Sequence, residues 1–435
     1  MREKIIEIKK RIISDPLSKG IFIIASGSII AQVIAIITTP ILTRLYTPSD
    51  YGVLGLFTST LAILAIAGGF RYDLAFPLPK KNEDAANLFI FFLILLSITS
   101  MCFLIIIFLF GDLLLSLFHL DTLKSYLLLL IIGFFGMSLY GALTSWVSRF
   151  REYTRITNTK IYQSSVNSGS KIILGFFSLG PSGLLIGQVL SQIAGIGTLL
   201  RYMWKHDRSL FIDTISYSQM IAMAKQYKKF PLYTFPAGII NALALQLPIF
   251  MLSAIYGLQV VGMFTLAYTL LVFSSSLIST SLAQVYYAEV AKMMRENSQE
   301  IKKLYISTTR KLLIVGIPLI MIPCLLAPFI FPVIFGEIWK EAGFYCLPLS
   351  LVAIANFVIS PTSMLSGYGF NHWALIWDIS RTTLIFASFY VIQVFSLPVL
   401  SALFIYSSLM ALMYGVNYLM NLRALSLYLE AGSIG

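Results

Sequence analysis

Charged residues inside apolar segments are the first candidates for chemistry in this chain. Lys171 and Arg381 both fall within predicted membrane spans. A Lys, Arg or Asp near the bilayer centre costs about 2.5–3.5 kcal/mol on insertion scales, so it needs a partner, water or a ligand. Lys171 lies about eleven residues into its span, hence ~16 Å deep at 1.5 Å per residue. Both cations predict binding of an anion; the alternative for Lys171 is a buried structural pair or a misplaced span.

Two further cations, Arg44 and Arg71, lie near span ends. Arg44 follows Pro40 near the outer end of the first span, and a simple interfacial anchor is the alternative there because a long side chain can snorkel to the headgroups. Arg71 lies near the inner end of the second span, two residues before Asp73. The predicted anion-binding set is therefore Lys171, Arg381, Arg71 and Arg44.

Two carboxylates could couple transport to an ion. Asp378 and Arg381 are three positions apart, so they share a helix face and can neutralise one another, which is the structural alternative to a binding function. Arg71 and Asp73 allow the same two interpretations. Asp378 and Asp73 are the candidates for coupling to H⁺ or Na⁺, and the sequence predicts no other cofactor and no metal site.

Composition places the chain in a membrane. Of its 435 residues 58% are hydrophobic and only 11% are charged, and the mean hydropathy is +0.84. Apolar runs of about 20 residues recur from end to end, which excludes a soluble globular protein. The net charge of +12 comes mostly from residues in loops, so it indicates a membrane surface rather than nucleic acid.

Hydropathy predicts an all-α protein with about twelve spans in two six-helix lobes. Residues 1–204 form the first lobe, which begins with a basic segment at 1–19 that is either an interfacial helix or a loosely structured tail; residues 205–230 form a cytoplasmic linker, and 231–435 form the second lobe. The turn after the first span contains Asp50, which is placed to cap the returning helix. The predicted spans are 21–43, 53–77, 87–111, 124–150, 160–179, 182–203, 232–254, 259–285, 308–333, 343–366, 373–395 and 399–422.

Loop charge predicts the orientation. Alternate loops on one side hold 26 of the 31 Lys and Arg residues, whereas the other side holds three. The positive-inside rule therefore places both termini and the linker in the cytoplasm.

An offset of 210 residues suggests an internal repeat. Gly52 corresponds to Gly262, Tyr46 to Tyr256, and Lys171 to Arg381, each pair 210 residues apart. Two halves of six spans have the same orientation and can be related by an axis along the membrane normal.

The sequence lacks the motifs that are typical of several functional classes. The sequence has no P-loop, and it offers no nucleophile or acid–base pair, so neither ATP hydrolysis nor another enzymatic reaction is predicted. Cys102, Cys324 and Cys346 lie in apolar segments at unrelated spacings, which predicts packing.

Two early blocks and three later ones resemble a known family. The blocks are TRLYTPSDYGVLGLF, FRYDLAFPLPKKNEDAANLF, Lys228 to Phe250, Val261 to Tyr268 and Ser281 to Lys292. They resemble Wzx-type O-antigen and capsular polysaccharide repeat-unit flippases of the MOP (multidrug/oligosaccharidyl-lipid/polysaccharide) exporter superfamily, whose fold is MATE-like.

The resemblance implies a flippase in the bacterial inner (cytoplasmic) membrane. Its substrate would be an undecaprenyl-pyrophosphate-linked oligosaccharide, moved from the cytoplasmic to the periplasmic leaflet by alternating access, with a polysaccharide polymerase and a chain-length regulator as possible partners. A MATE-like multidrug or cation antiporter is one alternative. A membrane-embedded polymerase or glycosyltransferase is another, which the short loops disfavour.

Overall fold

The structure is a computed structural model that describes residues 16–117, 120–273 and 298–432, together with isolated residues between 274 and 297. Residues 1–15 of the predicted interfacial helix lie outside the described residues. Within the described ranges every regular element is helical and no strand occurs. The all-α fold class predicted from hydropathy is confirmed.

Fourteen α-helices are described in these ranges. They are α1 (Pro16–Leu45), α2 (Pro48–Ile66), α3 (Asn82–Leu117), α4 (Leu127–Arg149), α5 (Tyr153–Phe176), α6 (Pro181–Ala194), α7 (Ile196–Asp213), α8 (Tyr217–Gln226), α9 (Phe235–Tyr256), α10 (Leu258–Tyr268), α11 (Ile301–Phe335), α12 (Lys340–Ile359), α13 (Asn371–Val394) and α14 (Val399–Gly432).

Ten of the described helical stretches are long and apolar enough to cross a membrane. The predicted fifth and eighth spans are not among these ten, for separate reasons. The fifth corresponds to α5, a helix of 24 residues rich in Ser, Thr and Asn. The eighth begins with the shorter apolar helix Leu258–Leu271 and continues into the residues that are only partly described. The break predicted between spans five and six lies between α5 and α6, as expected.

The turn between α1 and α2 is closed by a reciprocal cap. The Thr47 amide donates to Asp50 Oδ2 at 2.8 Å, and the Asp50 amide donates to Thr47 Oγ1 at 3.2 Å. Pro48 is the first residue of the helix, where its missing N–H has no intrahelical partner to lose. The predicted capping role of Asp50 is confirmed.

The second predicted span ends too late in the chain. Helix α2 stops at Ile66, whereas the predicted span reached residue 77. Gly69, Phe70 and Arg71 have successive φ values of +87°, +53° and +65°, which a right-handed helix cannot accommodate. A 3₁₀ turn at Tyr72–Ala75 follows. Arg71 and Asp73 therefore lie on a turn beyond the helix rather than inside a span.

The chain divides into two compact units. The first unit comprises Met1–Tyr46 and Val53–Ala242, and the second comprises Thr47–Gly52 and Leu243–Gly435. The first turn of α2 thus belongs to the second unit. Each unit is built by packing of long helices against one another.

In the first unit, α5 packs between α1 and α6, and α4 also packs on α6. The short helix α8 lies against α3. The chain between α7 and α8 is held by Asn87, whose amide donates to Thr214 O at 3.0 Å and whose Oδ1 accepts from Ser216 N at 2.9 Å. The segment predicted as a linker at 205–230 is thus largely helical and fastened to α3.

In the second unit, α12 is the central helix. It packs on α11, α14 and α10, while α13 packs on α14. Helix α12 is accordingly the most enclosed of the spans, with 72% of its apolar window buried. Helix α11 contains four prolines, and each removes a backbone donor from the ladder.

Candidate functional site

Lys171 is buried inside the first unit. It lies on α5, its exposed fraction is 7%, and its Nζ donates to Gln188 Oε1 on α6 at 3.1 Å. A glycine makes this position possible, because a Cβ at Gly187 would lie 2.5 Å from Lys171 Cγ. Small residues let helices approach closely in a membrane, and here the space is filled by the lysine stem.

The acceptor of Lys171 is itself held in place. Asn167, one turn earlier on α5, donates to Gln188 Oε1 at 3.1 Å and to Ser191 Oγ at 3.2 Å. The Tyr46 hydroxyl at the end of α1 donates to the backbone carbonyl of Lys171 at 2.7 Å. The lysine is therefore fixed from both neighbouring helices.

The partners of Lys171 are neutral. Within the described part of the chain, no carboxylate oxygen lies within 4.0 Å of its Nζ. An amide dipole offsets only part of the cost of a buried ammonium group, since a buried charge normally requires a counter-charge. This arrangement can accept an anion, whose charge would complete the pairing.

The polar character of α5 is explained by its contacts with α1. Ser164 donates to Ala31 O at 2.6 Å, Thr157 donates to Ile23 O at 2.9 Å, and the hydroxyls of Ser168 and Thr38 are 2.9 Å apart. These hydroxyls are satisfied by a neighbouring helix, so the helix tolerates a low hydropathy. The polar seam reaches from the start of the helix to Lys171.

Arg381 is the buried cation of the second unit. It lies on α13 with an exposed fraction of 3%, and its NH2 donates to Asp378 Oδ1 at 2.9 Å. The guanidinium carbon lies 4.4 Å from the ring centroid of Trp377, a cation–π contact. The indole N–H of Trp377 donates to Met413 O at 2.8 Å, which fixes the ring. The predicted Asp378–Arg381 pair is present.

One donor of Arg381 remains unused. Its Nε is buried and has no hydrogen-bond partner among the described residues. The hydroxyls of Tyr268, Tyr406 and Tyr414 lie within electrostatic range of the guanidinium. The Tyr414 hydroxyl donates to Asn356 Oδ1 at 3.2 Å. The described surroundings of the cation therefore comprise an aromatic ring, tyrosine hydroxyls and the carboxylate of Asp378.

Arg71 and Asp73 lie in the first unit and form the third charged group, after Lys171 and the Asp378–Arg381 pair. Arg71 Nε is buried without a hydrogen-bond partner in the described residues, and a Cβ at Gly238 would lie 3.8 Å from it. Burial raises the pKa of the Asp73 carboxyl, and the nearby charge of Arg71 opposes this shift. The two residues influence one another electrostatically, but no ion pair within 4.0 Å joins them in the described part of the chain.

Arg44 has a different environment. It is exposed and lies in the last turn of α1, where a positive charge complements the helix dipole. It is not enclosed as Lys171 and Arg381 are. Among the described residues, no group of three or more His, Cys, Asp or Glu side chains could hold a metal ion.

Sequence reasoning missed the residues that hold the two cations. These are Asn167 and Gln188 around Lys171, and Trp377 around Arg381. A local signal existed, because Asn167 and Trp377 each lie four residues before the cation and are themselves 210 residues apart. Because side chains at i and i+4 meet on a helix, this repeated spacing predicts that Asn167 and Trp377 lie beside the two cations.

Comparison with known protein families shows which family the chain belongs to. A family model described as polysaccharide biosynthesis protein matches residues 41–343, which is more than half of the sequence. The chain belongs to this family. The region matched to the polysaccharide biosynthesis family contains Arg44, Arg71 and Lys171 and ends before α13, which carries Asp378 and Arg381. No curated protein sequence matches the chain.

Solved structures show the fold that this member of the polysaccharide biosynthesis family adopts. An inward-facing multidrug resistance MATE transporter of the MOP superfamily is similar with a TM-score of 0.65 and 15% identity, covering 91% of this chain and 95% of that one. An outward-facing structure of a multidrug resistance MATE transporter of the MOP superfamily is similar with a TM-score of 0.62 and 15% identity, covering 96% of this chain and 97% of that one. A MOP superfamily transporter from Pyrococcus furiosus, described as having a binding pocket of reverse polarity that suggests a different function, has a TM-score of 0.62 and 16% identity, covering 95% and 97%. The fold is that of MATE/MOP transporters.

Proposed function

We propose that this protein is a flippase for an undecaprenyl-pyrophosphate-linked oligosaccharide, such as an O-antigen or capsule repeat unit. It moves the lipid-linked unit from the cytoplasmic to the periplasmic leaflet of the bacterial inner membrane by alternating access. Membership of the polysaccharide biosynthesis family and the MATE/MOP fold support this proposal.

The observation that carries the proposal is the environment of Lys171. A pyrophosphate is anionic and a glycan is strongly polar, so neither crosses hydrocarbon unaided. Lys171 supplies a buried positive charge that the neutral Gln188 amide leaves uncompensated. A lipid-linked pyrophosphate provides the missing negative charge while its polyprenyl tail remains in the bilayer.

Arg381 supplies the corresponding charge of the second unit. Its pairing with Asp378 reduces the field that a ligand experiences, and its unused Nε can donate to a phosphate or sugar oxygen. Trp377 and the neighbouring tyrosines present rings and hydroxyls suited to a glycan. Arg71, whose Nε is buried without a hydrogen-bond partner among the described residues, and Arg44 are the further proposed anion-binding residues.

Coupling to an H⁺ or Na⁺ gradient belongs to the same proposal. Asp378 and Asp73 are the carboxylates that would bind the ion, because each lies beside one of the binding cations. Both termini are proposed to be cytoplasmic. A polysaccharide polymerase and a chain-length regulator are the proposed partners on the product side.

The decisive experiment measures where single lipid-linked repeat units accumulate. In a strain lacking this protein, units are expected to accumulate in the cytoplasmic leaflet, and wild-type protein should restore surface polysaccharide. Units that accumulate in the periplasmic leaflet instead would indicate a polymerase and overturn the proposal.

A second candidate is a multidrug antiporter. Similar structures described as multidrug resistance MATE transporters favour it. Expression would then confer drug resistance without any polysaccharide phenotype. Two buried cations oppose this function, since they would repel cationic drugs.

A further inference from the structure

The first turns of α11 carry a groove that the proposed transport site does not use. It has a volume of about 720 Å³, and its lining includes Lys302, Lys303, Ile306, Arg310, Lys311 and Ile314. Steps of three and four residues place these side chains along one face of the helix. Two pairs of cations thus flank an isoleucine, with about 12 Å of helix rise between the pairs.

The charge of this groove is largely uncompensated. Lys303 pairs with Glu300 at 3.2 Å, but their side chains are 79% and 65% exposed, so the pair is weak. Lys302 Nζ donates to the neutral Ser426 hydroxyl at 3.2 Å. Arg310 and Lys311 are exposed and make no ion pair within 4.0 Å in the described ranges.

The groove continues directly into an exposed apolar surface. Ile314 lines the groove and is 62% exposed, and its neighbours Leu313 and Val315 are 44% and 56% exposed. Helix α11 has 35 residues, hence about 52 Å of length at 1.5 Å per residue, whereas the hydrocarbon core is about 30 Å thick. About 15 residues therefore extend beyond the core. Because the charged residues of the helix all lie among its first eleven, this extension is at the N-terminal end, which puts Arg310 and Lys311 at the level of lipid head groups.

We propose that this basic groove binds an anionic phospholipid of the surrounding bilayer. The phosphate contacts Arg310 and Lys311, and one acyl chain lies along the face that Ile314 begins. Lys302 and Lys303 extend the positive field outward within a Debye length of the membrane surface.

Other occupants match the groove less well. An acidic peptide would satisfy the cations but would leave Ile314 and its apolar neighbours to a different partner. A lipid-linked glycan would need groups that bind sugars, and the described residues of the lining include no aromatic ring and only Gln299 and Ser307 as neutral polar side chains. The chemistry that matches both halves of the groove is a negative head group joined to an apolar tail.

The test is a thermal stability titration of the purified full-length protein in neutral detergent. Phosphatidylglycerol is added to wild type and to a groove variant carrying Lys302→Gln, Lys303→Gln, Arg310→Gln and Lys311→Gln. We expect phosphatidylglycerol to raise the Tm of wild type, and the apparent affinity to fall about fivefold for each cation removed. The effect in wild type should weaken as salt is raised.

A matched control removes the same charge elsewhere. Lys80→Gln, Lys81→Gln, Lys228→Gln and Lys229→Gln alter four exposed lysines outside the candidate spans, and this variant should respond to phosphatidylglycerol like wild type. A charge-conserving variant with Lys302→Arg, Lys303→Arg, Arg310→Lys and Lys311→Arg should also respond.

Four results would overturn the proposal. Equal responses of the groove variant and the control would show that the groove is not the site. An equal response of wild type to phosphatidylcholine would show that charge is not recognised. A response to an acidic peptide or to a polyprenyl phosphate, but not to phosphatidylglycerol, would assign the groove to that ligand. If the groove variant does not fold, a salt-insensitive response of wild type is the contradicting result.

Discussion

Gly52 and Gly262 pack backbone to backbone within the second unit. A Cβ at Gly262 would lie 2.9 Å from Gly52 N and would collide with the Pro48 carbonyl, whereas a Cβ at Gly52 would collide with the Leu258 carbonyl. The contacts are reciprocal, because Gly52 and Pro48 correspond to Gly262 and Leu258 at the 210-residue offset. Reciprocal contacts between equivalent residues are the signature of a two-fold relationship. The starts of α2 and α10 are therefore related by a local two-fold axis.

Substituting alanine at this contact should destabilise the protein. Gly262→Ala forces a methyl group into the Pro48 backbone, and overpacking of this kind costs about 1–3 kcal/mol. Unfolding in detergent followed by circular dichroism measures the loss. Gly415→Ala is the matched control, since Gly415 lies in α14 with open space where the methyl would point. Equal stability of the two variants would contradict the packing described.

Replacing Gln188 by Glu should separate stability from transport. The new carboxylate would lie about where Oε1 now lies, 3.1 Å from Lys171 Nζ, and would neutralise the lysine. We expect the Tm to stay equal to or above that of wild type, while surface polysaccharide falls more than tenfold. Gln188→Met, which removes the acceptor without adding charge, should lower the Tm. Full transport by Gln188→Glu would remove Lys171 from the anion site.

Displacing the lysine stem should also reduce transport. A Cβ at Gly187 would lie 2.5 Å from Lys171 Cγ, so Gly187→Ala must shift the lysine from its position. Because the stem is flexible, we expect a loss of transport that exceeds the loss of stability. Gly169→Ala on α5 is the control, as nothing lies within 4 Å of its added Cβ. Transport assays and melting curves of both variants would compare the two effects, and unchanged transport by Gly187→Ala would be the contrary result.

The Asp378–Arg381 pair should show strong coupling in a double-mutant cycle. Asp378→Asn leaves the buried guanidinium without its counter-charge, and we expect a loss of about 1.5–3 kcal/mol in the free energy of unfolding. Arg381→Gln in the same chain should recover part of that loss. Additive losses in chemical denaturation would show that the two residues act independently. Arg381→Lys should keep the charge but lose the planar contact with Trp377.

Asp73 should contribute a pH-dependent destabilisation. Burial raises the pKa of its carboxyl in the folded state, so the folded state binds the proton more tightly than the unfolded chain does. Stability contributed by this group therefore falls as pH rises from near the ordinary carboxyl pKa of 3.8 through the raised pKa of the folded state. We expect the Tm of Asp73→Asn relative to wild type to increase between pH 4 and pH 7. A difference that stays constant or decreases would contradict the raised pKa.

Features set by local chemistry could be predicted from the sequence. The Asp378–Arg381 pair follows from helical spacing, and the cap between Thr47 and Asp50 follows from turn chemistry, since both involve residues three positions apart. The end of α2 was predicted wrongly because hydropathy does not register the left-handed residues at Gly69 to Arg71. The low hydropathy of α5 likewise does not indicate that its hydroxyls form hydrogen bonds with α1, because those contacts depend on how the two helices pack.

The sequence by itself determined that this is a helical membrane protein, and it predicted two repeated halves, each with one cation deep in its fifth predicted span. These properties depend on the length of apolar runs and on residue offsets, which the chain displays directly. Only the tertiary structure decided that Lys171 meets the Gln188 amide, that Arg381 lies against Trp377 with one donor unused, and that Gly52 meets Gly262. Contacts between helices depend on the depth and rotation of each helix, and these are fixed by packing among distant segments, which no local pattern records.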